Sequence, residues 1–328
     1  MLTMHHFEFE VEATTALGLY RHSGTALRAA LFAALSRHFC TAPTAAAAGD
    51  LRHKEQCPVC WLLAREVVED ERGKDVPRPL ALRPPPLGAP TDLRPGERWR
   101  FGLTLAGEQT VNLFPYLLLA VQAMGEQGVG RPVAGGRRGR FALRRVWAIN
   151  PFTEMRQVLL AEGEQVVAMP DLPVTAAQVE AAAERLVTQV AARGGQLTLR
   201  FLTPMRLIER GALVHTARFA PLFQRVLERI EQLGRLYGSH VALAEEERAR
   251  LLAAAGRVLM LEERTHWADV KSPSGRKPQP TPIGGFVGEA TYRSDQWRSL
   301  LPWLLWGQLA QAGKNTTKGN GWYRVEGW

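Results

Sequence analysis

Three cysteines in 328 residues are too few for a disulfide framework. The N-terminal stretch MLTMHHFEFEVEA has no apolar segment of the kind a secretory signal needs. Long hydrophobic runs are missing as well: the two longest, 113–123 and 300–309, are interrupted by Pro115 or Pro302 and by polar residues, which excludes a membrane helix. With no export signal, Asn315-Thr316-Thr317 is only a formal glycosylation sequon. The expectation is a cytoplasmic chain with no membrane partner. Acidic charge is the other deficit, 32 Asp and Glu against 41 Lys and Arg, and the resulting +9 favours a polyanionic partner. A chain with 46% apolar and 22% charged residues is not disordered, and its length suits two domains.

A weak internal repeat organises the chain. FGLTLAG, LFPYLLLAVQAMGEQGVG and RPVAGGRRGRFALRRV follow one another near residue 100, and FVGEATY, LLPWLLWGQLAQAG and KNTTKGNGWYRV near the C-terminus. Each set reads as a strand, an apolar helix opening on Pro115 or Pro302, a glycine-rich basic loop and a closing strand. Upstream, Phe7, Phe9 and Val11 alternate before a helix with Leu27, Leu31 and Leu35. Leu197, Leu199 and Phe201 do the same before a helix with Phe219, Leu222, Phe223, Val226, Ile230 and Leu233. The order β-α-β, β-α-β in each half predicts an α+β protein of tandem ferredoxin-like, RRM-like domains with glycine-rich loops. The expected domains are 1–194 and 195–328, divided at Arg193-Gly194-Gly195 after an alanine-rich helix from Thr175 to Ala192. The run from Val76 to Gly96 is so proline-rich that it reads as an extended connection.

Six arginines (Arg131, Arg137, Arg138, Arg140, Arg144, Arg145) lie between 131 and 145 with no acidic residue. Towards the C-terminus Lys271, Arg276, Lys277, Lys314 and Lys318 sit among Gly, Ser and Pro. Glycines beside cations let the backbone approach a phosphate and offer N–H donors, the arrangement that holds a nucleic-acid backbone. Trp147, Trp322 and Tyr323 can stack on unpaired bases, although core packing is the better reading of these aromatics alone. AGKNTT is not a nucleotide-binding P-loop, because Gly307 and Gly313 are separated by five residues and Lys314 is followed by Asn315.

The strings FLTPMRLIERGALV, LERIEQLGRLYG, THWADVKSPSGRKPQPTPIGGFVGEATY and LLPWLLWGQLAQAGKNTTKGNGWYRV, from Leu197 to Trp328, resemble the CRISPR-associated precursor-crRNA endoribonucleases of the RAMP superfamily, the Cas family numbered six. GTALRAALFAAL and GVGRPVAGGRRGRFAL resemble that family's first helix and first glycine-rich element, whereas residues 43–96 match it poorly. The resemblance implies CRISPR repeat RNA as substrate and crRNA as product, with other CRISPR effector subunits as further partners. It also implies metal-independent cleavage: the ribose 2′-OH attacks the adjacent phosphate, leaving a 2′,3′-cyclic phosphate and a 5′-OH. No cofactor or metal is expected. RNA contacts fall to Arg131, Arg137, Arg138, Arg140, Arg276, Lys277, Lys314 and Lys318. The rival expectation, motivated by the poorly matching region, is a non-catalytic crRNA-binding subunit.

By the same resemblance the catalytic histidine follows the first helix and precedes a proline, which suits His53 in LRHKEQCPVCWLL, with Lys54 beside the phosphate. Imidazole accepts and donates protons near neutral pH. His38 and His22 remain alternatives, and Phe32 stands where some relatives carry a tyrosine. The segment has a competing use. Cys40, Cys57 and Cys60 include a C-x-x-C pair, and a closed zinc site needs a fourth ligand that His53 or His38 can provide. His53 cannot readily serve both.

Overall fold

The computed structural model describes residues 2–44, 49–65, 76–133, 135–239, 243–272 and 279–326. They form two compact units, one spanning 4–173 and the other 174–328 together with residues 1–3. The expected division at 194/195 therefore moves to 173/174. The reason is the helix Ala176–Ala192, opened by a capping box between Thr175 and Gln178. Its apolar stripe of Val179, Ala182, Ala183, Leu186 and Val190 is buried in the second unit, where the helix packs on Trp297–Ala310.

The first unit runs β1 (Met4–Ala13), α1 (Gly24–Phe39), α2 (Leu51–Gln56), α3 (Pro58–Ala64), β2 (Leu80–Arg83), β3 (Arg98–Ala106), α4 (Phe114–Gln127), β4 (Phe141–Asn150) and β5 (Met155–Leu160). Its antiparallel sheet has the order β2-β3-β1-β4-β5, a ferredoxin-like sheet with one added strand. The proline-rich connection is thus not merely extended. Leu80–Arg83 pairs with 102–105 as an edge strand, and Asp92–Leu93 pairs with Leu17–Gly18. Proline is confined to the flanks, 77, 79 and 84–86, where no ladder N–H is lost.

Alternation in β1 turns Phe7, Phe9 and Val11 onto Leu27, Leu31 and Leu35 of α1 and Leu117, Val121 and Met124 of α4. Phe7 lies 4.9 Å from Phe114 and Phe9 5.2 Å from Phe101, ring centre to ring centre. Each such buried side chain contributes about 1.5–3 kcal/mol.

The second unit runs α5 (Ala176–Ala192), β6 (Gln196–Met205), α6 (Phe219–Tyr237), α7 (Glu245–Gly256), β7 (Leu259–Ala268), β8 (Gly285–Arg293), α8 (Trp297–Ala310) and β9 (Tyr323–Glu326). Its sheet order β7-β8-β6-β9 is the ferredoxin-like order. Pro302 does not open α8 as expected. The helix begins five residues earlier at Trp297, whose indole N–H donates to the Gly195 carbonyl at 2.7 Å, and of these two prolines Pro115 takes the first-turn position. Among the described residues no helix is long and apolar enough to cross a membrane.

Two histidines of β1 lie inside the first unit. His6 Nδ1 lies 2.7 Å from the Thr104 hydroxyl, and burial, then the Arg83 charge, hold its pKa well below the ordinary value. The folded protein keeps this ring neutral while the unfolded chain protonates it below about pH 6.5. Stability therefore falls as pH drops below that value, by up to about 1.4 kcal/mol per pH unit for this ring. Urea unfolding of wild type and His6→Gln between pH 7 and 5 is expected to show a shallower acid loss in the variant.

Candidate nucleic-acid interface and thiol–histidine cluster

The glycine-rich loop of the second unit, 311–321, is fixed by backbone geometry. Gly313 (φ 77°) and Gly321 (φ 77°) occupy the left-handed region, and a Cβ at 321 would overlap the Ala312 carbonyl oxygen. Around them Ala312 N–H donates to Gly321 O (3.0 Å), Lys314 N–H to Arg206 O (3.0 Å) and Gly321 N–H to Pro204 O (3.0 Å). Asn320 Nδ2 donates to Ile283 O at 2.6 Å, sewing the loop to the segment just before β8. Gly321→Ala is expected to cost about 1–3 kcal/mol or more, read as a lowered urea midpoint.

This rigid loop sets the fate of its cations. Lys314 is exposed and has no ion pair among the described residues, whereas Lys318 is half-buried and donates to Ser272 Oγ at 3.2 Å. Arg276 and Lys277 lie outside the described residues. The aromatics divide as well. Tyr323 is fully buried with its hydroxyl donating to Leu304 O at 2.7 Å, so it belongs to the core, and Trp322 is half-buried.

In the first unit, the arginine run separates into two groups. Arg131 pairs with Asp92. Arg144 and Arg145 lie on β4 and join a network over the sheet face opposite the helices. There Glu8, Glu10 and Glu12 of β1 meet Arg98 and Arg100 of β3, Arg144 and Arg156, with Glu162 bridging Arg98, Arg144 and Arg145. Trp147 is clamped between the guanidinium groups of Arg100 and Arg156, 5.1 and 4.8 Å from the ring centre. Most of that face is therefore neutralised internally, and its aromatic ring is already covered. Arg137, Arg138 and Arg140 are exposed and have no ion pair among the described residues. Arg137 ends a turn closed by Val133 N–H to Arg137 O (2.9 Å) and Gly136 N–H to Val133 O (3.0 Å), Arg138 opens the short strand that follows, and Arg140 lies just past it, its N–H donating to Thr15 Oγ1 at 2.8 Å. Unlike their neighbours, these three are available to an external phosphate.

The segment between α1 and β2 gathers the remaining site residues. Cys40 caps the C-terminus of α1, and Asp50 caps α2 by accepting from Arg52 N–H (2.9 Å) and His53 N–H (3.3 Å). Cys57 stands at the junction of α2 and α3, its N–H donating to His53 O at 2.8 Å. Pro58 opens α3 at its first turn and Cys60 follows on the buried side. As a result the Cys40, Cys57 and Cys60 sulfurs and one ring nitrogen of His53 all lie within 4.8 Å of one another, with Cys40 Sγ 3.2 Å from His53 Nε2.

Burial pushes the Cys57 thiol up. The Cys60 and Val59 backbone N–H groups, with the Cys40 and Cys60 thiols, outweigh it and hold Cys57 below its ordinary value. Cys60 is pushed up to about 12, by burial first and then by the charges of Cys57 and Cys40.

This geometry bears on the expected catalytic pair. His53 faces three sulfurs, and Lys54 is 1% exposed, too deeply buried to offer its ammonium to a phosphate. His38 is exposed in the last turn of α1, with its ring 6.1 Å from that of Phe39. The second unit also holds a cavity of about 580 Å³ whose lining includes Arg257, Arg293 and Trp297. Scattered single arginines gave no motif that would have located it in the sequence.

Two family profiles match the chain. One, described as an N-terminal domain (AF_1859_N), covers residues 2–172, and the other, described as CRISPR-associated endoribonuclease Cas6, covers 199–323. A solved Thermus thermophilus Cas6 is similar at 15% identity over 99% of both chains, with a TM-score of 0.54. A Cas6 product complex is similar at 17% identity over 99% of both chains, with a TM-score of 0.51. A partial complex of Cas6, reverse transcriptase, Cas1 and Cas2 is similar at 13% identity over 99% of this chain and 46% of that one, with a TM-score of 0.63. These likenesses bear out the tandem ferredoxin-like fold. No curated protein sequence matches.

Proposed function

From the premise that this chain belongs to the CRISPR-associated Cas6 endoribonucleases, matched by that family's profile over 199–323, we propose that it cuts CRISPR repeat RNA by 2′-OH attack on the adjacent phosphate. The attack forms the 2′-O–P bond and breaks the bond to the 5′-oxygen, leaving a 2′,3′-cyclic phosphate and a 5′-OH. One proton leaves the 2′-oxygen and one reaches the departing 5′-oxygen. No metal takes part in this chemistry. A positioned imidazole typically contributes about 10²–10⁴-fold to such a transfer, and the exposed ring of His38 is the one we assign.

The observation that carries this reading is the coincidence of three uncompensated arginines, 137, 138 and 140, with an equivalent glycine-rich loop presenting Lys314 in the second ferredoxin-like unit. Exposed cations bind phosphates without reading bases, so RNA sequence or shape is read elsewhere. The product, mature crRNA, and other CRISPR effector subunits are the partners of this reading, and the cytoplasm its place.

A repeat RNA carrying a single 2′-deoxy substitution at the scissile nucleotide tests the chemistry, with no divalent cation added. The natural RNA is expected to be cut to cyclic-phosphate ends and the substituted one to remain whole. Cutting of the deoxy substrate overturns the mechanism. Salt-sensitive binding that leaves the natural RNA intact under all conditions assigns the chain to the non-catalytic subunits instead.

A further inference from the structure

We propose that Cys40, His53, Cys57 and Cys60 form a structural zinc site that ties the end of α1 to the α2–α3 turn. The inference rests on the geometry of these four residues and not on the RNA-cleavage reading. Tetrahedral zinc with three thiolates and one imidazole has bond lengths near 2.3 and 2.0–2.1 Å, which places its ligand atoms about 3.5–3.8 Å apart. The four ligand atoms here lie within 4.8 Å of one another, so small rotations of the side chains suffice.

Three further features fit a metal rather than a chance gathering. Cys57 and Cys60 are buried and Cys40 and His53 half-buried, so the centre is shielded, as a closed structural site requires. The spacing Cys57-Pro58-Val59-Cys60 turns the backbone N–H groups of Val59 and Cys60 towards the Cys57 sulfur. That is the arrangement in which a thiolate is held by its own chain. Finally, the ligands come from the α1 C-terminus, α2 and the start of α3, and whereas α1 and α3 are anchored in the core by Leu31, Leu35, Val59, Leu62 and Leu63, α2 between them is not. Of the six residues of α2 only Lys54 is buried. A metal supplies the cross-link that α2 cannot supply by packing.

Four protein ligands leave no open coordination position, so the zinc is structural and His53 is a ligand rather than an acid or base. Cys40 follows His38 by two residues. The metal therefore fixes the helix end on which the exposed histidine rides, and His53 acts on the site through position alone.

The experiment measures zinc in the purified full-length chain after dialysis against metal-free buffer, in wild type, His53→Ala and His53→Cys. Wild type is expected to hold about one zinc per chain. His53→Ala is expected to lose most of it, and His53→Cys, which offers a fourth thiolate, to keep it. Should His53→Ala fail to fold, titration of the wild type with an organomercurial is the second measurement, with one zinc released as three thiols are capped.

A folded wild type with less than about 0.2 zinc per chain and three freely titrating thiols overturns the site. Cleavage of repeat RNA separates the two roles of His53. The structural role predicts a His53→Cys variant cutting within about threefold of wild type, whereas a catalytic imidazole predicts a loss of about 10²-fold or more. Zinc content is read without RNA, so failure of the cleavage reading leaves this test intact.

Discussion

Replacing His38 with alanine is expected to slow cleavage of repeat RNA by about 10²–10⁴-fold, the range that a positioned proton-transfer group contributes. RNA affinity is expected to change by less than about threefold, because His38 sits at the end of α1 and not among the cations of either glycine-rich loop. Single-turnover cleavage with enzyme in excess, beside a binding titration on uncleavable 2′-deoxy RNA, separates the two quantities. An equal loss in both would make His38 a binding residue. An unchanged cleavage rate would move the chemistry to another side chain. His38→Ala truncates an exposed side chain in a last helical turn, so its effect on stability is expected to stay within about 0.5 kcal/mol.

The second large effect concerns the three arginines that find no carboxylate. The triple variant Arg137→Ala, Arg138→Ala, Arg140→Ala is expected to lower the dependence of log K on log salt by about 2 for single-stranded RNA, since each neutralised phosphate contributes roughly 0.7. Affinity at low salt falls accordingly, by an order of magnitude or more. The matched control is Arg144→Ala with Arg145→Ala, whose guanidinium groups are already engaged by Glu12 and Glu162. That pair is expected to leave the salt slope nearly unchanged. Equal slopes for the two variants would mean that RNA dissolves the internal ion pairs, and the division between free and compensated arginines would fall. Six arginines thus fall into two classes, paired and unpaired, although by residue type they are alike.

Much of the fold is readable from the chain alone because it follows from local rules. Alternation at Phe7, Phe9 and Val11, and helical spacing from Phe219 to Leu233, each repeat at the period of the element they form. Leu80–Arg83 escaped this logic: four residues between prolines are too few to show a period, and only pairing with β3 makes them a strand. Pro302 misled in a different way. Proline favours the first turn of a helix, but the burial of Trp297, Leu300 and Leu301 starts α8 before it. The division between domains shifted for a similar reason, because an amphipathic helix joins whichever sheet offers its stripe a partner, and sequence proximity does not choose.

Residue types settled the broad chemistry. An excess of cations beside glycines points to phosphate, and C-x-x-C beside a histidine points to soft ligands, whatever the fold does with them. Only tertiary structure decided which members of each set are paired, buried or exposed. Charge compensation is a matter of neighbours in space, so Arg144 and Arg131 are spent on carboxylates contributed by Glu12 and Asp92, far away in the chain. Histidines 38 and 53 look interchangeable as letters. The turn between α2 and α3 points one at three sulfurs, and the end of α1 leaves the other in solvent.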